Sequence, residues 1–291
     1  MRVTNKMMAD NVTAQLFRQT EQMVKTQEHI ISGKRINRPS DDPVEISSVL
    51  SYRKSISSLD QYTDNITKAK LHIDTVDDVL GMVSELLREA KEIAYDTNPA
   101  RRSEMADQVA AIRTQVLQMA NYEIDGKYLF AGDETQNQPY DSSSAPPWTY
   151  NGDSGTKQVV IGENMQINIT ADGSSIFGLD PNTVFNMLDD LENALNLPDP
   201  TAIETQIGRL DSAVDTITTI RARNAGVYKR LEATENHYNY FKVNVQEMLS
   251  NTEDANIAEA IINFQVQQTT YESTLATASK IIQKSLIDFL G

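Results

Sequence analysis

Few side chains of this chain could bind a metal or carry catalysis, and their spacing suits neither task. Three histidines lie on separate predicted helices, and no pair has the H-x-x-x-H spacing that places two imidazoles on one helix face. They are His29, His72 and His237. The absence of cysteine excludes disulfides, thiolate metal sites and a cysteine nucleophile. We therefore interpret the histidines as surface or partly packed residues.

Two other clusters share part of a functional motif but lack an essential member. Asp74, Asp77 and Asp78 have helical spacing, but no glycine and glutamate accompany them as a calcium loop requires. Gly126–Gly132 contains Lys127 but not the G-x-x-x-x-G-K-[ST] pattern that cradles phosphate, and no G-x-S-x-G occurs. The sequence predicts no catalytic residue, no cofactor and no metal site, and hence a protein that is not an enzyme.

A dense group of charged and polar side chains lies in a short loop that two prolines force to bend. It includes Arg35, Asn37, Asp41 and Asp42. One interpretation is a surface that contacts another subunit. The other is a solvated loop that caps the following helix, with Asp42 as the cap, a proline at the first helical position and Glu45 at the third.

Two segments with a heptad repeat lie near the ends of the chain. Alternating spacings of four and three residues predict amphipathic helices that pair in a coiled coil. The N-terminal seam consists of Val12, Leu16, Gln19, Met23, Thr26 and Ile30, and the C-terminal seam consists of Ile257, Ile261, Phe264, Gln268, Tyr271, Leu275, Ala278, Ile282, Ser285 and Phe289. Polar members such as Gln19 and Gln268 weaken a coiled coil but select its register and partner.

Helical periodicity also predicts helices over most of the chain between these two segments. The predicted helices cover Val49–Ala90, Met105–Met119 and 201–249. At 1.5 Å per residue, the last of them would span roughly 70 Å if unbroken, which indicates a rod. Asn98-Pro99, Asp180-Pro181 and Asp199-Pro200 each place a capping side chain before a proline and predict helix starts.

The middle of the chain has a different composition. Residues 126–200 hold six of the nine prolines and seven of the twelve glycines. Alternation of polar and apolar residues predicts short antiparallel strands at Trp148–Tyr150, Lys157–Ile161 and Met165–Thr170. Residues 120–215 contain three basic against sixteen acidic residues, which is most of the net charge of −15. We interpret this stretch as carrying a small β-rich insert that faces solvent.

Charge and hydropathy exclude two further classes of protein. No basic patch occurs, so we expect no nucleic-acid binding. No run of about 18 apolar residues occurs, so we expect no membrane insertion. The N-terminus also lacks the apolar region of a cleaved secretory signal.

Four segments resemble the bacterial flagellin family in their order and spacing. Ser32–Pro43 resembles the R-I-N-x-x-x-D-D loop that follows a heptad N-terminus, and its Pro-Ser-Asp-Asp-Pro version is most similar to the members that join hook to filament. Gly126–Gly132 resembles the family's strand entry into the variable domain. Arg221–Gly226, followed by Arg230–Glu232, resembles its C-terminal rod helix, and Ser285–Leu290 resembles its terminal heptad. The resemblance extends over nearly the whole chain and is least specific at 133–178.

The resemblance implies a mainly α fold, an elongated rod of long antiparallel helices with heptad termini and a small β-rich insert. The implied divisions are an N-terminal coiled-coil segment and loop (1–40), the N-terminal half of the rod (41–130), the β-rich outer insert (131–178), the C-terminal half of the rod (179–250) and a C-terminal coiled-coil segment (251–291). The termini would form the inner coiled-coil layer of a tube, with the middle of the chain outside.

The resemblance also implies a structural role in the bacterial flagellum. Copies of the chain would form a ring or short tube between hook-associated protein 1 and flagellin, after unfolded type III export to the cell exterior with the help of a chaperone. The expected assembly residues are Val12, Leu16, Met23, Ile30, Arg35, Asn37, Asp41, Asp42, Ile257, Ile261, Phe264, Tyr271, Leu275, Ile282 and Phe289. Two alternatives stay open, a small flagellin that forms the filament itself and a secreted coiled-coil effector.

Overall fold

The computed structural model describes residues 5–96, 98–141, 146–169, 172–197 and 199–290. Side chains are described within these ranges at position 7 and at 10–279. The helices are α1 (Asn5–Ser32), α2 (Ile46–Tyr95), a 3₁₀ turn (Pro99–Arg101), α3 (Arg102–Ala120), α4 (Gly173–Phe177), α5 (Val184–Asn196), α6 (Pro200–Glu253) and α7 (Ile257–Leu290). The strands are β1 (Glu123–Ile124), β2 (Lys127–Tyr128), β3 (Gln158–Gly162) and β4 (Met165–Asn168). The prediction of a mainly α fold with a small β part is confirmed.

Side-chain caps fix where several of these helices begin. Asp42 and Asp199 each accept hydrogen bonds from the backbone amides two and three residues ahead, at 3.0–3.2 Å. The prediction that Asp180 caps a helix is wrong. Helix α5 begins at Val184, and the hydroxyl of Thr183 accepts from the amide of Asn186 at 3.0 Å.

The contacts of the chain divide it into two compact units. The terminal unit runs up to Ser58 and resumes at Tyr240, and the central unit is Leu59–Asn239. The central unit holds the main hydrophobic core, to which α2, α3, α5 and α6 all contribute fully buried aliphatic side chains. Representative members are Leu80, Leu87, Val109, Val116, Leu188 and Leu210.

Aromatic rings from the predicted insert complete this core. Tyr140, Trp148 and Phe177 are fully buried, and the Tyr140 hydroxyl donates to the carbonyls of Gly173 and Gly178 at 2.9 Å. The expectation that this stretch faces solvent is therefore wrong for its rings. The predicted strand Trp148–Tyr150 is also wrong, because Tyr150 makes only a single bridge, to Tyr140, while the rings turn inward.

Two antiparallel hairpins form the β part. In β1–β2, Asp125 and Gly126 both have positive φ, the conformation that a two-residue turn of this hand requires. In β3–β4, Val159 pairs with Ile167. Ile161, Ile167 and neighbouring apolar residues pack as a second cluster with residues of α2 and α6, which are Ile66, Ala69, Ile73 and Leu231. The hairpin is thereby fixed against the helices through its apolar side.

Candidate assembly surface

Helices α1 and α7 pack together within the terminal unit. On α1, half-buried side chains recur at the predicted heptad spacing, and they are Val12, Leu16, Gln19, Met23, Thr26 and Ile30. On α7, the buried or half-buried side chains are Ala260, Phe264, Gln267, Tyr271, Thr274 and Ala278. Both sets alternate spacings of four and three residues, so the two helices meet along heptad seams.

The seam of α7 differs from the predicted one at every second position. Phe264, Tyr271 and Ala278 belong to both. The predicted member Gln268 is exposed, and Ile257, Ile261 and Leu275 are 37%, 42% and 44% exposed. The predicted seam toward α1 is wrong at these positions. The seam is occupied instead by Ala260, Gln267 and Thr274, which precede Ile261, Gln268 and Leu275 by one residue. The assignment of Ile257, Ile261 and Leu275 to an interface between subunits stays a prediction. The predictions for Ile282 and Phe289 concern side chains that lie outside the described residues.

Polar groups lie in the contact between α1 and α7 and lower its stability. The side-chain amide of Gln19 donates to the hydroxyl of Thr274 at 3.3 Å. The side-chain oxygens of Gln19 and Gln267 are enclosed, and within the described part of the chain neither has a hydrogen-bond partner. Because a buried acceptor without a partner loses its bonds to water, these two oxygens disfavour the pairing.

Apolar side chains also face solvent on both helices. On α1, Phe17, Val24 and Ile31 are 73%, 56% and 77% exposed and recur every seven residues, so they form one line, the α1 stripe. On α7, Ile262 and Val266 are exposed on the side away from the seam, in addition to the exposed residues flanking it. The paired helices therefore bury one apolar face and leave others uncovered.

The charged loop folds back onto the chain's own C-terminal segment. The amide of Arg35 donates to the Glu253 carbonyl at 2.6 Å, and its guanidinium donates to the Thr252 carbonyl at 2.8 Å and to Asp42 at 3.3 Å. The guanidinium also pairs with Glu45. Hydrogen bonds that the guanidinium donates to Glu45 and Asp42 outweigh the effect of burial and raise the pKa of Arg35. This geometry matches the capping interpretation of the loop.

The remaining predicted loop residues shape the bend itself. The carboxylate of Asp41 accepts from the backbone amides of Arg38 at 2.8 Å and Asn37 at 3.1 Å, and these bonds lower its pKa. The side chain of Asn37 donates to the Lys34 carbonyl at 3.2 Å. The loop is thus held internally, and its predicted contact with another subunit stays a prediction.

A buried carboxylate that the sequence did not indicate lies beneath this loop. Glu253 is 1% exposed, and its carboxylate binds Lys34 Nζ at 2.5 Å and both Nε and Nη2 of Arg53. Burial alone would raise the pKa of Glu253, but the hydrogen bonds and charges of Arg53 and Lys34 outweigh it and lower the pKa. We call these three residues the Glu253 cluster. About two hundred residues separate its partners, so no local pattern could have pointed to it.

Helices α1 and α7 lie within the two regions that known family models match. The bacterial flagellin N-terminal helical region matches residues 3–135, and the bacterial flagellin C-terminal helical region matches residues 207–290. The chain belongs to the bacterial flagellin family. Members of this family are structural components of flagella, and this chain is such a component rather than an enzyme.

The similar proteins include both hook-associated proteins and flagellins. Flagellar hook-associated protein 3 of Salmonella typhimurium is 25% identical, with 98% of each chain covered. The protein of the same name from Escherichia coli is 27% identical over 75% of this chain and 67% of its own. Flagellin of Bacillus subtilis is 23% identical over 91% of this chain and 90% of its own.

Solved structures agree on the fold. A hook-associated protein structure from Vibrio parahaemolyticus has a TM-score of 0.68 at 20% identity and covers 74% of this chain and all of its own. FlgL of Bacillus cereus has a TM-score of 0.61 at 18% identity and covers 69% of this chain and 99% of its own. The family models and the curated relatives make the chain a flagellar protein like hook-associated protein 3 that associates with other flagellar components. In the part of the chain that the structure describes, no helix is long and apolar enough to cross a bilayer.

Proposed function

We propose that this chain is the junction subunit between hook-associated protein 1 on the hook side and the flagellin filament. The observation that carries the proposal is the incomplete burial of α1 and α7. Their seam covers one face of each helix, and apolar lines such as Phe17, Val24 and Ile31 stay exposed in the single chain. Large exposed apolar lines at heptad spacing are typical of surfaces that pack against further helices.

The energetics favour copies of the same chain as the first neighbours. Burial of apolar surface contributes about 25 cal/mol per Å², and the exposed lines of α1 and α7 gain it only when further helices cover them. Isolated helices are marginal in water, so the termini gain most of their stability from such neighbours. In a ring or short tube, every copy supplies the same surfaces to the next one. Segments 1–40 and 251–291 would form its inner layer, and the stretch 131–178 would lie farther out.

Polar seam positions favour a junction over a filament. A filament subunit matches itself along the axis, and such heterologous contacts repeat without limit. Gln19 and Gln267 each enclose a side-chain oxygen that has no hydrogen-bond partner among the described residues, which weakens the α1–α7 pairing from which a tube would be built. A junction subunit needs limited self-matching and a good match to two different partners. The relation to hook-associated protein 3 over almost the full length supports this choice.

The mode of delivery belongs to the same proposal. We infer that a chaperone escorts the chain, that the flagellar type III system exports it unfolded, and that it assembles outside the cell. The absence of cysteine suits this route, because a chain without disulfides can pass a narrow channel as a single strand.

Gene deletion with electron microscopy tests the proposal. Cells without the gene should carry hooks but no filaments and should release flagellin into the medium. Normal filaments on such cells would overturn the junction role. The small-flagellin alternative makes a different prediction, that the purified protein at high concentration and high precipitant salt grows long helical filaments alone. We expect monomers or short oligomers.

A further inference from the structure

A groove in the central unit lies outside the surfaces discussed so far. It has a volume of about 450 Å³ and lies between α2 and the β1–β2 hairpin. Leu71 and Ile124 line it with their exposed apolar surface, together with the rings and aliphatic atoms of Tyr128 and Leu129. Its volume is within the range of about 300–1,000 Å³ that is usual for binding pockets.

The groove gathers positive charge in an acidic protein. Its walls include Lys68, Lys127 and Lys157, and within the described part of the chain no acidic group forms an ion pair with any of them. Two of them are among the three basic residues of 120–215. Asp125 is the carboxylate of the lining. Burial, and then the charge of Lys157, lower the pKa of His72 in the groove wall to about 4, so this imidazole is neutral at physiological pH. We call this site the lysine groove.

A complementary surface lies farther along the same helix. Five exposed carboxylates and one exposed methionine of α2 fall within a sector of about 80° at 3.6 residues per turn. They are Asp74, Asp78, Met82, Glu85, Glu89 and Glu92, which we call the acidic stripe. Arg88 lies at the edge of this sector. Asp77, which is outside it, pairs with Arg221 at 2.9 Å, and the pKa of Arg221 is raised by that bond and further by Asp78 and Glu85.

We propose that the lysine groove of one copy receives the acidic stripe of a second copy, with Met82 on the apolar floor. This rests on the proposed function, in which copies of the chain form a ring or short tube. Lys68, Lys127 and Lys157 would then face carboxylates, which steers encounter and fixes register. Met82 is 44% exposed among these carboxylates, so it supplies the apolar contact that the floor lacks in a single chain.

The charge balance of the chain favours a second copy as the occupant. With a net charge of −15, two copies repel over most of their surfaces. The lysine groove is a place where an approaching copy meets attraction instead. Because groove and stripe are different surfaces, the contact between copies that point the same way is heterologous and leaves one of each free for the next neighbour.

Engineered cysteines test the contact directly, because the chain has none of its own. We would introduce Thr135→Cys in the groove lining and Met82→Cys in the stripe on separate chains and express both in one cell. Oxidation of isolated hook–filament junctions should give a mixed disulfide dimer. Chains that carry only Thr135→Cys, or only Met82→Cys, should give little homodimer.

Charge reversal tests the chemistry of the contact. Lys68→Glu with Lys127→Glu and Lys157→Glu should lower the yield of the mixed dimer by more than about tenfold, because like charges then meet. Reversing Asp78, Glu85 and Glu89 to Lys on the partner chain should restore the yield. Lys229→Glu with Arg230→Glu, at exposed positions of α6, is the matched control and should leave it unchanged. Neutral Lys→Gln versions serve if the reversed chain does not fold, which circular dichroism would show.

The outcomes separate this inference from the proposed function. Loss on reversal and recovery on the swap would establish the contact. Wild-type filaments on cells whose chain carries the reversed groove would overturn it, while the deletion result could still support a junction. Loss of junctions without recovery on the swap, and without the mixed dimer, would also overturn it and assign the groove to a different acidic protein. If the charge-reversed chain does not fold, the neutral Lys→Gln chain decides. A normal yield of mixed dimer from the Lys→Gln chain would show that the lysine charges are not needed and would count against the contact.

Discussion

The central and terminal units bury their side chains to very different degrees. In the central unit, Leu80, Leu188 and Phe185 are completely enclosed, and aromatic rings meet edge to face. In the terminal unit, the seam between α1 and α7 consists mostly of half-buried side chains and includes glutamine and threonine. The central unit therefore has a fully enclosed interior, whereas the α1–α7 seam of the terminal unit leaves its side chains only partly covered.

The largest expected effect on folding comes from the central core. Phe185→Ala should destabilise the protein by about 3–5 kcal/mol, because a fully buried ring leaves a cavity. The ring contacts Tyr140 and Phe177, at centroid distances of 4.9 and 5.9 Å. Urea denaturation followed by circular dichroism measures this. Tyr122→Ala, at an exposed position of the same unit, is the control and should stay within about 0.5 kcal/mol. Equal effects of the two changes would contradict the contrast between core and surface.

The Glu253 cluster should give the next largest effect, confined to the terminal unit. Glu253→Gln removes the charge that Lys34 and Arg53 share and should cost about 1–3 kcal/mol, since bonds to a charged group are lost. The amide of Arg35 donates to the Glu253 carbonyl, and the amide of Ala255 donates to the Gly33 carbonyl. Faster hydrogen exchange at these two amides would report the local destabilisation. Glu259→Gln, an exposed carboxylate on α7, should leave that exchange unchanged.

The same cluster predicts an acid sensitivity with a definite sign. The pKa of Glu253 lies below its ordinary value of 4.5 in the folded chain. The stabilisation is therefore complete above pH 4.5 and is lost as the pH falls through the lower folded-state pKa. Exchange at Arg35 and Ala255 should accelerate, beyond its intrinsic pH dependence, below that pH. The Glu253→Gln chain should lack this extra acceleration, and its persistence there would assign the effect to another group.

Removing the unpartnered oxygens of the α1–α7 seam should have a smaller effect of opposite sign. Gln19→Leu with Gln267→Leu should stabilise the pairing by about 1 kcal/mol, because two enclosed acceptors without a partner are removed and only the long bond from Gln19 to Thr274 is lost. Hydrogen exchange across residues 12–30 measures the gain. Gln265→Leu, at an exposed position, is the control. Slower assembly with correct partners, despite greater stability, would indicate that these glutamines select partners.

The smallest effect on the folded chain should come from Leu275→Asp. Leu275 is 44% exposed, so the change should alter stability by less than about 0.5 kcal/mol. It should still abolish filament attachment if this surface is covered by a neighbouring copy, because an unpaired charge would then be buried. Tyr271→Asp, one turn away in the seam, should weaken the α1–α7 pairing itself. Normal filaments in the Leu275→Asp strain would show that this side of α7 is not part of the assembly surface.

Periodicity predicted the helices well because it depends on local spacing alone. Helices α2, α3 and α6 extend over the predicted segments, and the α1 seam has the predicted members. On α7 the same reasoning chose Ile261 and Leu275 over Ala260 and Thr274, since apolar residues are expected inside. In the single chain, Ile261 and Leu275 are the more exposed residues. A search for the most apolar stripe of a helix cannot distinguish a contact within the chain from one between chains.

The other differences arise from contacts between distant parts of the chain. Trp148 and Tyr150 have the composition of a strand, but their rings pack into a core that α3 and α5 build. In the sequence, Glu253 is an ordinary carboxylate near a helix end. Only the fold brings Lys34 and Arg53 into contact with it. The loop of Arg35 and Asp42 was recognised as a motif, but its internal role depends on Thr252 and Glu253, which the motif does not contain.

The two backbone connections that leave the paired helices run side by side. One follows α1 through Gly33, and the other joins α6 to α7 at Ala255, whose amide donates to the Gly33 carbonyl at 2.9 Å. Any torque on α1 and α7 must reach α2 and α6 through these two strands of chain. Cross-linked by Arg35 and Glu253, they act as a single mechanical coupling. The hydrogen bonds of Arg35 and Ala255, together with the buried side chain of Ile36, therefore set the torsional stiffness of the subunit at this point.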